Sequence, residues 1–280
     1  DAVTTHHVGN IFLSGRSSAS ADAVSQTVAS FTGLTESSTH GTAMLVATDQ
    51  EGGDVQVLTG SGFSSIPSGA EQAVQPREQL VASATTWGKE LASAGVTMNL
   101  APVADLVDIA SPTSNAPIGK YHREYGHDAS TVSAQALAFA EGMRAAGVTP
   151  TFKHFPGLGR VKENTDTASG VTDSVTARTG DPAVAVFGDA ITGGAEVIMV
   201  SSAYYSQIDG SAPAVFSPTI VTDMLRTEMG FTGVVITDDV AAAVQVQDWA
   251  AGERAVKAVS AGCDIVLASA DPSVAADMAT

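Results

Sequence analysis

Charged side chains follow several apolar runs of this 280-residue chain, and they are the residues best suited to chemistry. Three β-branched residues and Thr237 lead directly into Asp238 and Asp239. Other apolar runs end at Asp49, at Asp105, at Lys153 with His154, and at Ser201. Burying an ionised carboxylate inside such a run is costly unless it is paired. We therefore expect these side chains where each strand emerges from the core, with Asp239 as a helix cap or a site residue.

Separated carboxylates beside a lysine and a histidine suit the hydrolysis of a glycosidic bond. One carboxylate can attack the sugar while another group handles the proton. The motifs of other chemistries are missing from the sequence: it has no phosphate-binding glycine pattern of the Walker or dinucleotide type and no Gly-x-Ser-x-Gly. Its six histidines are scattered, without metal-ligand spacing. We expect neither a metal nor a cofactor.

Short apolar runs alternate with helical patterns along the whole chain, which predicts a parallel sheet covered by helices. Strands are expected to begin near Val8, Ala43, Val96, Pro150, Glu196, Val234 and Asp264. Helices are expected over 21–31, 76–94, 129–146, 183–191, 218–229 and 249–261, with another beginning at Pro272 and a long loop over 158–180.

Both an open doubly wound sheet and a (β/α)8 barrel fit this alternation. The barrel is favoured because polar residues end several strands, whereas an open sheet gathers its ligand groups at one switch point. Residues 1–280 have no repeat, low-complexity segment or linker, so we predict a single catalytic domain. Seven strands are one fewer than a closed barrel needs. We therefore predict an incomplete barrel.

The composition narrows the range of partners. Thirty acidic and 13 basic residues give a formal net charge of −17, which repels nucleic acid and anionic membrane surfaces. No run of 18 apolar residues predicts membrane insertion. The acidic chain has one cysteine, Cys263, and we favour an extracellular or cell-envelope location over a cytoplasmic one. No feature of the sequence sets the oligomeric state.

Four segments resemble the family 3 glycoside hydrolases, and most of all their bacterial β-N-acetylglucosaminidase branch. They are Asp49-Gln50-Glu51-Gly52-Gly53, Asn99-Leu100-Ala101-Pro102-Val103, Lys153-His154-Phe155-Pro156-Gly157 and the stretch 233–240. The resemblance runs from about Val8 to the C-terminus. It implies a (β/α)8 barrel, here lacking its first strand and last helix. It also implies removal of terminal β-linked N-acetylglucosamine with retention, from cell-wall or chitin-type sugars, without metal or cofactor.

The resemblance also implies roles for individual residues. Asp238 matches the catalytic nucleophile of the family, and Asp49 matches an acidic residue that holds sugar hydroxyls. Arg123 matches an arginine that contacts the substrate. Lys153 and His154 match a pair that binds the terminal sugar.

Two departures from the family pattern concern the proton donor and the segment 51–57. Ala168 stands where the family has the histidine that serves as general acid and base, and Asp166 matches the aspartate beside it. Asp54 and Val57 replace two arginines of the family. We predict Asp166 as the acid/base of this chain. The competing candidates are Glu163, His122 and His127, and a site with no competent acid is a further alternative.

Two other functions fit the same barrel. One is a carbohydrate-binding or regulatory protein that is catalytically weak because its acid/base is missing. The other is a β-glycoside phosphorylase, in which phosphate replaces water.

Overall fold

A curled sheet of parallel strands forms the framework of the computed structural model, which describes residues 2–34, 39 and 41–280. Its strands are β1 (Asn10–Leu13), β2 (Leu45–Thr48), β3 (Met98–Asn99), β4 (Thr149–Phe155), β5 (Val197–Val200) and β6 (Val234–Thr237). They lie side by side in chain order, each parallel to its neighbours. Sequential order is that of a barrel wall, whereas a doubly wound sheet reverses at its switch point.

The sheet is a half-barrel and does not close within the described residues. The segment predicted as the seventh strand runs beside β6, where Thr237 N donates to Ile265 O at 3.0 Å and Val240 N donates to Leu267 O at 3.1 Å. Regular parallel pairing there is limited to one bridge, between Ile236 and Ile265. The predicted incomplete barrel is confirmed, but the prediction of seven regular strands was wrong. Asp264 begins the irregular segment, and its Oδ2 accepts from Val235 N at 2.7 Å.

Helices connect successive strands and cover the outer face of the sheet. They are α1 (Ala2–His6), α2 (Ala21–Thr32), α3 (Gly69–Ala73), α4 (Arg77–Ser93), α5 (Ala129–Ala145), α6 (Pro182–Thr192), a helix of π type (Thr219–Glu228), α7 (Ala251–Ala261) and α8 (Ala275–Ala279). Side chains of Ser20, Asp128 and Asp181 cap α2, α5 and α6 by accepting from backbone amides in the first turn. The predicted long helices are present, whereas α1 and α3 are too short to show a periodic pattern. None of the described helices has the length and apolar character needed to cross a membrane.

The central strands β5 and β6 are mainly apolar because both faces of the sheet are buried there. On β5, Val197 and Met199 belong to the inner apolar cluster, while Ile198 and Val200 pack among the helices. The inner cluster consists of Ala47, Met98, Leu100, Val197, Met199 and Ile236. An apolar cavity of about 500 Å³ lies beside it, bordered by β1, by 264–269 and by α8.

Candidate active site

A cleft of about 680 Å³ opens at the carboxyl-terminal edge of the sheet, and all six predicted site residues line it. Asp49 follows β2, Lys153 and His154 lie in β4, and Asp238 follows β6, while Arg123 and Asp166 come from two loops. Parallel strands point their carboxyl ends to the same edge, so residues far apart in sequence converge there.

Lys153 joins two carboxylates on one wall of the cleft. Its Nζ lies 2.7 Å from Asp49 Oδ1 and 2.6 Å from Glu51 Oε1, and its side chain is buried. Arg123 holds Glu51 with two bonds, Nε to Oε2 at 2.8 Å and Nη2 to Oε1 at 2.7 Å. This Lys153–Glu51–Arg123 network fixes three charged side chains in one geometry.

Each charge in this network stabilises the ionised form of its oppositely charged neighbours. Burial by itself raises the pKa of Glu51, but the positive charges of Arg123 and Lys153 outweigh it and lower that pKa to about 2. Burial likewise favours a lower pKa for Lys153, yet Asp49 and Glu51 hold it above its usual value. The wall therefore presents fixed charges to a ligand.

Sequence reasoning missed Glu51 as a site residue, although the signal was present. Asp49 and Glu51 are two residues apart, and residues i and i+2 of an extended segment point to the same side. Gln50–Gly52 is such a segment, paired with Val55–Gln56. The side chains of Asp49 and Glu51 accordingly both reach Lys153.

His154 is oriented by Asp105, a second residue absent from the predicted site. Asp105 Oδ2 lies 2.7 Å from His154 Nδ1, and its Oδ1 accepts from the amides of His154 at 3.0 Å and Leu158 at 2.7 Å. A carboxylate accepts hydrogen bonds, so Nδ1 carries the proton and Nε2 remains for the cleft. The sequence pattern placed Asp105 at the end of a strand, but its contact with His154 became visible only in the fold.

Asp238 lies half-buried at the end of β6. Its amide donates to Val200 O at 3.0 Å, and its Oδ1 accepts from the Asp239 amide at 2.8 Å. Burial raises the pKa of Asp238 to about 6, with a further increase from the charge of Asp166 and an opposing effect from His154. The carboxyl group therefore changes charge near neutral pH.

Asp166 faces the cleft from the loop over 158–180. Desolvation beside the cleft walls is the main cause that raises its pKa. Its amide is bound by Asn164 Oδ1 at 2.9 Å, and its carbonyl accepts from Val244 N at 3.3 Å. The loop is thus attached to the segment that follows Asp238.

The competing acid/base candidates lie elsewhere. Glu163 and His122 are exposed and do not line the cleft. His127 also lies outside the lining, and its Nδ1 is 2.8 Å from Val107 O. Ala168, at the position of the family histidine, is partly buried, packs against the core and is not among the residues that line the cleft. Of the four candidates, Asp166 is the one that borders the cleft.

Asp239 and Ser201 have mainly structural contacts. Asp239 Oδ2 accepts from Ala242 N at 2.8 Å, the pattern of a cap, and its Oδ1 accepts from the Ser269 amide at 2.7 Å. Ser201 is fully buried, and its Oγ accepts from Ala203 N at 3.0 Å. Among the described side chains, no group of three His, Cys, Asp or Glu is arranged to hold a metal ion.

Comparison with known proteins gives consistent matches. The family described as "Glycosyl hydrolase family 3 N terminal domain" matches residues 1–279. A protein named β-hexosaminidase from Stenotrophomonas maltophilia (strain R551-3) is 34% identical over 230 residues, which cover 80% of this chain and 66% of that protein. An "uncharacterized secreted glycosyl hydrolase" of Arthroderma benhamiae is 36% identical over 238 residues, covering 82% of this chain and 64% of that protein.

A solved structure agrees with these sequence matches. The crystal structure of a β-N-acetylhexosaminidase from Beutenbergia cavernae DSM 12333 superposes with a TM-score of 0.98 at 55% identity. The match covers 100% of this chain and 83% of the solved one. The chain spans about two thirds of the length of the curated relatives named above.

Proposed function

Because the chain belongs to the family of the glycosyl hydrolase family 3 N-terminal domain, we propose that it acts as an exo-acting, retaining β-glycosidase. Its proposed substrates are cell-wall or chitin-type sugars with a terminal β-linked N-acetylglucosamine. The observation that carries the proposal is the presence of Asp238 and Asp166 in one cleft, beside the Lys153–Glu51–Arg123 network. The names of the β-hexosaminidase and β-N-acetylhexosaminidase relatives support the sugar class.

Binding of the terminal sugar falls to the charged wall. Sugar hydroxyls need directional donors and acceptors that are held in place before the ligand arrives. Asp49 and Lys153 supply an acceptor and a donor that already contact each other. His154 offers Nε2, and Arg123 adds a guanidinium fixed by Glu51.

Asp238 performs the first chemical step. Its carboxylate attacks C1 of the sugar, and the bond between C1 and the glycosidic oxygen breaks. The electron pair of that bond stays on the oxygen, which takes the proton of the Asp166 carboxyl group. The raised pKa of Asp166 favours the protonated form that this step requires. The products are a glycosyl ester of Asp238 and a free leaving group.

Water completes the reaction in a second step. The Asp166 carboxylate accepts a proton as the oxygen of water bonds to C1, and the Asp238 carboxylate departs. Each step inverts C1, so the sugar leaves with its original β configuration. Both carboxyl groups return to their starting protonation states.

Turnover of nitrophenyl β-sugars tests the proposal. Purified protein should release nitrophenol from the β-N-acetylglucosaminide faster than from the β-glucoside, with no need for phosphate. A phosphorylase would depend on phosphate and form a sugar 1-phosphate. Binding of N-acetylglucosamine without turnover would identify the carbohydrate-binding alternative, for which Ala168 is the supporting observation.

The identity of the nucleophile has its own measurement. A fluorinated sugar with a good leaving group should accumulate as an ester on Asp238, which peptide mass spectrometry locates. Asp238→Ala should lower kcat by several orders of magnitude, because the two-step route loses its first bond. A label on any other residue would contradict the assignment.

We also propose an extracellular or cell-envelope location. The support is the name of one relative, an uncharacterized secreted glycosyl hydrolase, together with the acidic, cysteine-poor composition. Fractionation of the source cells, followed by immunoblotting, should find the protein outside the cytoplasm. A purely cytoplasmic signal would overturn this proposal.

A further inference from the structure

An exposed tyrosine borders the cleft beyond the charged wall. Tyr121 is 38% exposed, and among the described residues that line the cleft it is the sole Phe, Tyr or Trp. Lys120 Nζ lies 5.3 Å from the centre of its ring. Aromatic rings combine a large apolar face with a polar tip, a combination suited to the apolar C–H faces and the hydroxyls of a sugar ring.

The loop that carries Tyr121 is held at both ends. On one side, the fully buried Asn115 accepts from the amides of Ile118 at 3.0 Å and Gly119 at 2.9 Å. On the other side, Arg123 is bound twice by Glu51. Holding the ring in advance lowers the entropic cost of binding a ligand on it.

The same loop is tied to the loop of Asp166. Asn115 Nδ2 donates to Leu158 O at 2.9 Å and to Val161 O at 2.7 Å. The amide of Ala116 donates to Lys162 O at 3.1 Å. The tyrosine and the proposed proton donor therefore belong to one connected rim of the cleft.

The cleft has a buried inner end and an exposed outer rim. Lys153 and His154 are buried and mark the inner end, where the terminal sugar would sit. Exposed Arg16 borders the cleft with Tyr121, and its Nη2 donates to Asp54 O at 2.9 Å. An exo-acting enzyme holds one sugar at the inner end, so the rest of the substrate must pass the exposed rim.

We propose that Tyr121 is the stacking platform of a subsite for the second sugar ring, the leaving group of an oligosaccharide substrate. The cleft volume of about 680 Å³ accommodates a ligand the size of a disaccharide. The inference rests on the proposed glycosidase function, because only a reaction at the inner sugar makes the second ring a leaving group.

Comparison of two substrates tests the platform. Methyl β-N-acetylglucosaminide lacks a second ring, and N,N′-diacetylchitobiose has one. The quantity of interest is the ratio of kcat/KM for the disaccharide to kcat/KM for the methyl glycoside. Tyr121→Ala should lower this ratio roughly three- to tenfold, the range expected for loss of one aromatic contact.

Two control variants separate stacking from other effects. Tyr121→Phe keeps the ring and should keep the wild-type ratio. Phe31→Ala removes an equally exposed ring, 38%, that borders the other cavity, and should also leave the ratio unchanged. An unchanged ratio in Tyr121→Ala, or an equal loss on both substrates, would overturn the platform.

Failure of the platform can be told apart from failure of the proposed function. Wild-type protein that cleaves neither substrate would overturn the glycosidase proposal. Calorimetric titration of Asp238→Ala protein with N,N′-diacetylchitobiose and with N-acetylglucosamine then decides the platform by binding alone. Adding Tyr121→Ala to that protein should weaken disaccharide binding roughly three- to tenfold more than monosaccharide binding. Equal weakening, or none, would contradict the inference.

Discussion

At the scale of single residues, the two carboxyl groups of the cleft control the chemistry through their protonation. Asp238 must be ionised to attack, while Asp166 must keep its proton until the leaving group needs it. Burial and the nearby Asp166 charge raise the pKa of Asp238 to about 6. Since interacting carboxyl groups titrate as a pair, a change at one should be visible in the pH profile of the other.

The first prediction concerns this coupling. For a substrate that needs no acid, such as a dinitrophenyl glycoside, kcat/KM of the wild type should fall as pH drops through about 6, where Asp238 becomes protonated. When Asp166 is ionised, its charge raises the pKa of Asp238, and Asp166→Asn abolishes that charge, so this acidic limb should move to lower pH. Glu163→Gln changes an exposed carboxylate of the same loop and should leave the limb in place.

A second prediction tests the proton donor with substrates that differ in their leaving group. Asp166→Ala should retain most of its glycosylation rate on substrates with a good leaving group and lose it on natural glycosides, because only the latter need protonation. Azide should restore part of the turnover by attacking the glycosyl ester. Equal rates for mutant and wild type on a natural disaccharide would show that the proton comes from elsewhere.

Glu51 carries the third prediction. Its pKa is lowered to about 2 from an ordinary value of 4.5, so its ionised form stabilises the fold above pH 4.5 and loses that effect as pH falls through 2. Glu51→Gln leaves Arg123 and Lys153 buried without their shared counter-charge, at a cost of about 3–5 kcal/mol in the free energy of unfolding.

Denaturant unfolding at several pH values checks this prediction. The difference between wild type and Glu51→Gln should shrink as pH approaches 2. Glu141→Gln removes half of an exposed pair with Arg77 and should cost less than about 1 kcal/mol. A similar cost for both variants would mean that the buried network does not stabilise the fold.

At the scale of elements, the loop of Asp166 depends on one glutamine. Gln245 is buried, and its backbone N–H donates to the backbone carbonyl of Thr165 at 3.0 Å. Its side chain bonds both ways to Val171, with Oε1 accepting from the amide at 3.0 Å and Nε2 donating to the carbonyl at 3.1 Å. The glutamine therefore holds both flanks of the segment that carries Asp166.

The fourth prediction follows for Gln245→Ala. Loss of the side-chain bonds should loosen the Asp166 loop, lowering kcat on natural glycosides roughly tenfold or more, as small misplacements of reacting groups do. KM and the rate on dinitrophenyl substrates should change little, a split that general destabilisation would not produce. Gln247→Ala is the matched control, since its amide bonds only within 241–247 among the described residues. Equal losses on both substrate types would contradict the positioning role.

At the scale of the whole molecule, net charge acts on the substrate before contact. The formal charge of −17 and the exposed Asp54 at the cleft disfavour an anionic leaving group. At 0.01 M salt the field extends about 30 Å, and at 0.15 M about 8 Å.

The fifth prediction uses this screening. The kcat/KM for a carboxyphenyl β-N-acetylglucosaminide should rise severalfold between those two salt concentrations, because screening weakens repulsion of the carboxylate. The neutral nitrophenyl analogue should show no comparable rise. Parallel responses of the two substrates would mean that the charge does not influence association.

Local sequence patterns were enough to predict the parallel architecture and several residues of the cleft. The apolar runs of β5 and β6 predicted buried strands because hydrophobic periodicity is local, and the polar residues at their ends marked the functional edge. Asp49, Lys153 and Asp238 could be named because strand direction carries them to that edge, whatever their neighbours are.

Which of these side chains act together became visible only in the folded chain. The partners of Glu51, His154 and Asp166 lie 72, 49 and 78 residues away, at Arg123, Asp105 and Val244 respectively. The irregular pairing of Ile265 and the packing of Ala168 against the core are equally invisible in local patterns. Contacts between distant segments depend on how helices and loops pack around the sheet, and packing is a property of the whole chain rather than of any single stretch.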